Sequence, residues 1–141
     1  MKYFIIIILL FTLQSCRSDK CNSVNEINVG ELLLITSNEK SYNYCELLEN
    51  ALEKDQKAIL NLSLLEFNGS VSYDHGYVLI MLIDRIGEVE YLKAIKYISN
   101  NDRSFIEEYL DAGFEYGDIS KYQGQSLKKV FPEIYRFLNQ F

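Results

Sequence analysis

Apolar residues recur every three or four positions through most of the chain from Ser41 onward. They are first Tyr44, Leu47, Leu48, Ala51 and Leu52, and then Ala58, Ile59, Leu62 and Leu65. This spacing places each set on one face of a helix. Asp55 stands between the two sets, where its side chain can cap a second helix that the pattern extends to about Phe67.

The segment between Ser72 and Gly87 is apolar on nearly every side. Its apolar residues are Val78, Leu79, Ile80, Met81, Leu82, Ile83 and Ile86. Because a helix that is apolar all round is normally buried, we expect this helix, capped by Ser72, to form the centre of the fold. Asp84 and Arg85 interrupt it too much for a membrane span, and Gly87 ends it.

Shorter patterns complete the chain. Further apolar faces comprise Val89, Leu92, Ile95 and Ile98, then Phe105, Ile106, Tyr109 and Leu110, and finally Ile134, Tyr135, Leu138 and Phe141. Leu32 to Ile35 form a short apolar run that we interpret as helical, and Pro132 fits the first turn of the last helix. We therefore expect an all-α fold, a single small bundle of about six short helices without a sheet.

An internal repeat is the alternative for the helical part of the chain. Residues 101–113 resemble the second helix of an ankyrin repeat, and residues 87–95 resemble one faintly. The two segments are far closer together than the 33 residues that this family requires. We therefore favour irregular helical hairpins over a repeat array.

The first sixteen residues have the organisation of an export signal. Lys2 gives a positive start, Tyr3 to Leu13 is an almost unbroken apolar run, and the segment ends in Leu13, Gln14, Ser15 and Cys16. These last four residues resemble the lipobox of bacterial lipoproteins, which has a leucine three places before a cysteine and a small residue directly before it. The resemblance implies removal of residues 1–15 and lipidation of Cys16, with palmitate among its acyl chains.

Two alternatives to lipidation remain. The apolar run is well short of the roughly 20 residues of a spanning helix, which argues against a retained anchor. Ordinary secretion, with cleavage at Ser15 or near Thr12, would leave Cys16 for a disulfide. Arg17 follows Cys16 where inner-membrane lipoproteins typically have aspartate, so the resemblance favours the outer membrane.

The polar residues after Cys16 define the expected domain boundaries. Residues 17–29 offer few apolar anchors, as expected of a flexible tether. We therefore predict a removed signal at 1–15, a lipidated cysteine and tether at 16–29, and an all-helical domain at 30–141. The length of the chain suits one domain with one core.

Charge narrows the classes of partner. The chain has 14 basic and 20 acidic residues and a net charge of −6, and loss of a signal that contains Lys2 makes it more negative. Like charges repel, so nucleic acid is not an expected partner. A basic protein partner fits better, although this charge is also ordinary for a soluble domain.

Cys21 and Cys45 are left when Cys16 is assigned to lipid. An exported chain meets an oxidising compartment, where they can form a disulfide with a chain-entropy stabilisation of about 3 kcal/mol. The alternative is two free thiols, because Cys21 lies in the predicted tether. The pair lacks the close spacing of a redox-active motif.

His75, the one histidine, stands beside Asp74 at the predicted start of the central helix. A helix N-terminus would lower its pKa, as in some general bases. Adjacent helical side chains point about 100° apart, however, so Asp74 cannot orient His75 as a triad acid would. No metal, calcium, phosphate-loop or nucleophile motif appears, and we predict no cofactor and no metal site.

One segment combines acidic and aromatic residues without an intervening base. Tyrosine and phenylalanine anchor protein interfaces, and carboxylates steer basic partners. The predicted partner-binding residues are Glu107, Glu108, Asp111, Phe114, Glu115, Tyr116, Asp118 and Tyr122. The alternative is that the aromatic rings fold back onto the bundle and the acids form a solvated helix face.

These features predict a lipid-anchored envelope protein that binds another protein, in the manner of immunity or inhibitor proteins. Two alternatives remain. One is a small envelope hydrolase that uses carboxylates or His75, and the other is a structural component of envelope assembly. The sequence does not decide whether the protein is an enzyme, and the absence of a catalytic motif favours a protein without enzymatic activity.

The lipobox resemblance predicts a mature chain that begins at acylated Cys16. Mass spectrometry of the membrane fraction should detect this species, and Cys16→Ala should release or stall the protein. Two or three acyl chains give stable anchoring where one would be marginal. An unmodified Cys16 in a soluble mature protein would contradict the prediction.

Overall fold

The computed structural model describes residues 21–140, and within this range the chain is mainly helical. A hairpin of two short strands, β1 (Ser23–Val24) and β2 (Ile27–Asn28), precedes the helices. The helices are α1 (Glu31–Glu39), α2 (Tyr44–Leu52), α3 (Gln56–Ser63), α4 (Ser70–Ile86), α5 (Glu88–Ile95), α6 (Asn100–Tyr116), α7 (Leu127–Val130) and α8 (Pro132–Leu138). We expected about six helices and no sheet. The described residues form eight α-helices and one small sheet. Cys16 and Phe141 lie outside the described residues.

The hairpin corrects the predicted tether. Its strands pair antiparallel, with Val24 opposite Ile27, and Asn25 and Glu26 adopt the left-handed backbone that a two-residue hairpin turn requires. Val24, Ile27 and Val29 are buried, and Ile27 is fully inaccessible. The part of the predicted tether from Cys21 to Val29 therefore belongs to the fold, because three of its apolar side chains enter the core.

A disulfide fastens the hairpin to the bundle. Cys21 precedes β1, Cys45 lies in the first turn of α2, and the two Cα atoms are 6.2 Å apart. Closing this loop restricts the unfolded chain and stabilises the fold by about 3 kcal/mol in the chain-entropy model. The crosslink helps to explain why a polar segment with few apolar residues is ordered.

Capping interactions define where the early helices begin. The Asp55 carboxylate accepts a hydrogen bond from the Ala58 backbone N–H at 2.7 Å, as predicted, although α3 ends at Ser63 rather than near Phe67. The start of α4 differs from the prediction, because Gly69, with φ of 61°, precedes a helix that begins at Ser70. Ser72 therefore lies inside the first turn, where its hydroxyl donates to the Gly69 carbonyl.

The later helices differ from the predicted faces in detail. Tyr91 and Ile95 are the fully buried residues of α5, and Val89 is 67% exposed because it lies on the opposite side. Ser99 and Asp102 form a capping box at the start of α6. This helix continues past Gly113, where the pattern predicted its end, to Tyr116.

Glu88 connects the beginning of α5 to the last helix. Its carboxylate accepts hydrogen bonds from the backbone N–H groups of Glu133 and Ile134, at 2.9 and 3.0 Å. These are N–H groups of the first turn, which have no partner within a helix. Pro132 occupies the first position of α8, as predicted, and Glu88 supplies the acceptor that the chain before α8 does not.

The two longest helices, α4 and α6, touch at a pair of glycines. A Cβ atom on Gly76 would lie 1.9 Å from the Tyr109 carbonyl oxygen, and one on Gly113 would lie 2.5 Å from the Gly76 carbonyl carbon. Tyr73 and Tyr116 also meet, one turn away on each helix, so the two helices run antiparallel. The backbones can approach this closely because neither glycine has a side chain.

Replacement of Gly113 by alanine should destabilise the protein by about 3 kcal/mol or more, because the methyl group forces the helices apart. Urea denaturation of Gly113→Ala and of Gly124→Ala would test this. Gly124 is the control, because it lies in a turn and a Cβ atom there would meet open space. Its substitution therefore carries only the backbone penalty of its φ of 69°, about 1 to 2 kcal/mol. Equal losses in the two variants would contradict the role of the crossing.

Candidate functional site

Two of the predicted partner-binding residues are part of the bundle. Phe114 on α6 is half-buried, and its ring centroid lies 6.0 Å from those of Tyr122 and Phe131. The Tyr122 hydroxyl donates a hydrogen bond to Asp84 on α4, which also pairs with Lys121 at 2.7 Å. These contacts hold the segment after α6 against the core, so Phe114 and Tyr122 have structural roles.

The predicted acids are divided between the fold and solvent. Glu107 accepts a hydrogen bond from the Asn139 side chain at 2.6 Å, which connects α6 to the end of α8. Glu108, Asp111 and Glu115 are exposed along α6. Desolvation by the surrounding protein raises the pKa of Asp111, and the neighbouring carboxylates of Glu107 and Glu115 raise it further. This face of α6 is therefore strongly acidic.

Tyr116 is the exposed aromatic residue of the segment. It is 57% exposed and stacks on Tyr73 of α4, with ring centroids 4.4 Å apart and planes inclined by 23°. Tyr73 is itself 38% exposed. Glu115 hydrogen bonds to Tyr116 and raises its pKa, so negative charge lies beside the rings. The sequence prediction missed Tyr73, which lies more than forty positions earlier in the chain.

The stacked pair borders a cleft of about 350 Å³, which we call the tyrosine cleft. It is lined by Asn28, Gly30, Tyr73, Asp74, Tyr77, Tyr116, Gly117 and Asp118. Desolvation raises the pKa of the Asp74 carboxyl. Neither lysine nor arginine lines the cleft within residues 21–140. Two carboxylates and three tyrosine rings thus face one small space without a compensating cation.

A larger cleft, of about 700 Å³, lies next to it between the hairpin, α1 and the start of α2. We call it the hairpin cleft. Its lining includes the disulfide cysteines, four asparagines, Tyr42, Tyr44 and the apolar residues Val29, Leu34 and Ile35. Ile35 is 48% exposed. The volume is within the range of small-ligand sites, and the mixture of amides and apolar groups can bind a partly polar ligand.

His75 lies in the core rather than in a cleft. It is fully buried, and the rings of Tyr44, Phe67 and Tyr109 surround it at centroid distances of 5.7, 4.9 and 4.9 Å. Its Nδ1 atom is hydrogen bonded to the Tyr44 hydroxyl at 2.8 Å, and Nε2 has no hydrogen-bond partner among the described residues. Tyr44, and not the adjacent Asp74, is therefore the group that orients the imidazole.

Burial determines the protonation of this pair. Desolvation lowers the pKa of His75 to about 3, so the ring is neutral near pH 7. Burial raises the pKa of Tyr44, and the negative charge of Asp74 adds to this effect, so the hydroxyl keeps its proton and donates to Nδ1. The imidazole proton is then on Nε2, enclosed by aromatic rings. This geometry favours a structural histidine over a general base.

Comparisons with known proteins do not assign the chain to a family. No protein-family model, curated protein or solved structure matches it. Over residues 21–140 no group of three or more histidine, cysteine, aspartate or glutamate side chains is arranged to hold a metal ion. No helix in the same range is both long and apolar enough to cross a membrane.

The site residues that sequence reasoning missed are Tyr73, Asp74 as a cleft residue, and the asparagines of the hairpin cleft. Gly76 and Gly113 are the sequence feature from which Tyr73 could have been found, because glycines inside helical patterns usually indicate close packing. Two such glycines predict a tight crossing. The tyrosines three positions away, Tyr73 and Tyr116, then become neighbours.

Acid should destabilise the protein through His75. Its pKa is about 3 in the fold and about 6.5 in the unfolded chain, so the unfolded state binds the proton more strongly between these values. The contribution is complete above pH 6.5 and is lost as pH falls towards 3. The free energy of unfolding should drop by about 2 to 3 kcal/mol between pH 7 and 4.5 because of this residue.

Urea denaturation at both pH values, for wild type and His75→Gln, measures this effect. Glutamine can still accept a hydrogen bond from Tyr44 but does not titrate, so the variant should lose less stability on acidification, whatever its stability at pH 7. An identical pH dependence in the two proteins would show that His75 is not the group responsible.

Proposed function

We propose that this protein is a lipid-anchored protein of the cell envelope that binds another protein through the surface around Tyr73 and Tyr116. The observation that carries the proposal is the exposed, stacked tyrosine pair, with the carboxylates of Asp74, Glu115 and Asp118 beside it. Tyrosine supplies a large contact area at a small entropic cost, which is why it is frequent among interface anchors.

The charge of this surface indicates the chemistry of the partner. A carboxylate that is partly desolvated and lacks a cation, as Asp74 does within the described residues, gains most from a positively charged group. The acids along α6 extend the negative field beyond the cleft and favour the approach of a basic protein. A basic partner therefore fits better than an acidic protein or nucleic acid.

The resemblance of residues 1–16 to a lipoprotein signal supports the location. Acyl chains on Cys16 would keep the domain at a membrane surface, with the outer membrane favoured by Arg17. An inhibitor or immunity protein that blocks a basic protein within the envelope is the subclass that we favour. The version of the hydrolase alternative that uses His75 is weaker because this residue is buried and neutral, with its nitrogens out of reach of a substrate.

Photocrosslinking in cells that export the full chain tests the proposal. A photoreactive phenylalanine analogue at Tyr116 should form an adduct with one protein of the envelope. The same analogue at Tyr97, which is 87% exposed and lies outside the tyrosine cleft, is the matched control. No adduct from position 116, or the same adduct from both positions, would contradict a partner site at the tyrosine pair.

Binding measurements with the captured partner extend the test. Tyr116→Ala should weaken binding about 10- to 30-fold, as expected for an interface anchor, whereas Tyr97→Ala should change it less than about twofold. Higher salt should slow association, because steering between opposite charges is screened. Equal effects of the two substitutions would argue against the tyrosine pair as the anchor.

A further inference from the structure

The two clefts meet to form one groove. Asn28 and Gly30 line both the hairpin cleft and the tyrosine cleft, so the two spaces adjoin across the end of β2. A Cβ atom on residue 30 would lie 2.5 Å from the Asp74 carboxylate oxygen. Glycine at this position therefore lets Asp74 lie at the junction. We call the combined space the hairpin groove.

The chemistry of the groove changes along its length. The tyrosine cleft contributes the Asp74 and Asp118 carboxylates with the tyrosine pair, and the hairpin cleft contributes the apolar side chains of Leu34 and Ile35 together with the Glu31 carboxylate. Asn28 lies at the junction of the two clefts, and the side chains of Asn22 and Asn28 make no side-chain hydrogen bond to another described residue. Neither lysine nor arginine lines the groove over residues 21–140.

We propose that this groove binds an extended segment of the partner protein, with an arginine or lysine side chain at Asp74 and Asp118 and an apolar side chain against Leu34 and Ile35. The inference rests on the proposed function and specifies which part of the partner is recognised. An extended segment leaves backbone N–H and C=O groups unpaired, and an asparagine amide offers both a donor and an acceptor to match them.

The charges favour a basic polypeptide over a neutral glycan. Hydroxyl groups of a sugar could bond to the asparagines, but they would leave the Asp74 and Asp118 carboxylates without a counter-charge. A guanidinium or ammonium group supplies that charge and also interacts favourably with tyrosine rings. Lys40 does not line the groove; its ammonium is 5.9 Å from the ring centroid of Tyr42, and no ion pair joins it to Asp74 or Asp118 among the described residues.

A positional-scanning library of hexapeptides, blocked at both ends, tests the inference on the purified full chain. Pools with arginine or lysine fixed at one position, and pools with leucine or isoleucine fixed at another, should bind more tightly than the rest. The double variant Asp74→Asn, Asp118→Asn should lose the preference for the basic residue, with affinity falling about tenfold, but keep the preference for the apolar one.

Two further variants test the apolar part of the groove and control for effects of substitutions elsewhere on the surface. Ile35→Ser should weaken the apolar preference and leave the basic preference intact. Glu49→Gln removes an exposed acid of α2 that does not line the groove, and its library profile should match wild type. Thermal unfolding of each variant identifies any loss that results from misfolding.

Several outcomes would overturn the inference. These are the absence of positional preference, a basic preference that survives in the double aspartate variant, and binding of soluble N-acetylglucosamine oligosaccharides in place of peptides. If Tyr116 forms an adduct with a protein but no peptide pool binds, the partner is recognised as a folded surface, and only the extended-segment inference fails. Absence of the Tyr116 adduct contradicts the proposed function itself.

Discussion

The contact between Gly76 and Gly113 is the constraint on which most of the structure depends. A Cβ atom on either glycine would lie within 3 Å of atoms of the facing helix, which is closer than real side-chain contacts allow. This proximity explains why the rings one turn away, on Tyr73 and Tyr116, can stack. The same crossing places His75 against Tyr109, so the core and the exposed surface share one geometric origin.

The hairpin adds a second layer that depends on the first. Its buried residues, Val24, Ile27 and Val29, pack on the helical core, and the disulfide holds its beginning at α2. The end of β2 then passes beside α4, where Gly30 lies against Asp74. The groove is therefore formed by two kinds of element. One is the hairpin, which depends on a local turn, and the other is the crossing of α4 and α6, which joins segments distant in the sequence.

The helical part of this fold could be predicted from periodicity, whereas the site could not. The buried central helix, the Asp55 cap, Gly87 and Pro132 follow from local rules and agree with the structure. The hairpin was missed because strands of two residues show no recognisable alternation. Tyr73 was missed because neighbouring residues in the sequence carry no information about contacts across helices. The acidic residues of α6 could be recognised in the sequence. Which of the aromatic rings among them fold inward depends on distant partners such as Phe131.

The position of Cys21, five residues after Cys16, has a consequence for how partners are encountered. An extended chain covers at most about 3.6 Å per residue, so a lipid on Cys16 would keep Cys21 within about 18 Å of the headgroups. Because Cys21 itself lines the groove, the binding surface would be confined to a thin layer above the bilayer. Partners that diffuse along the membrane, or that must cross it, would then meet the groove far more often than partners in the bulk compartment.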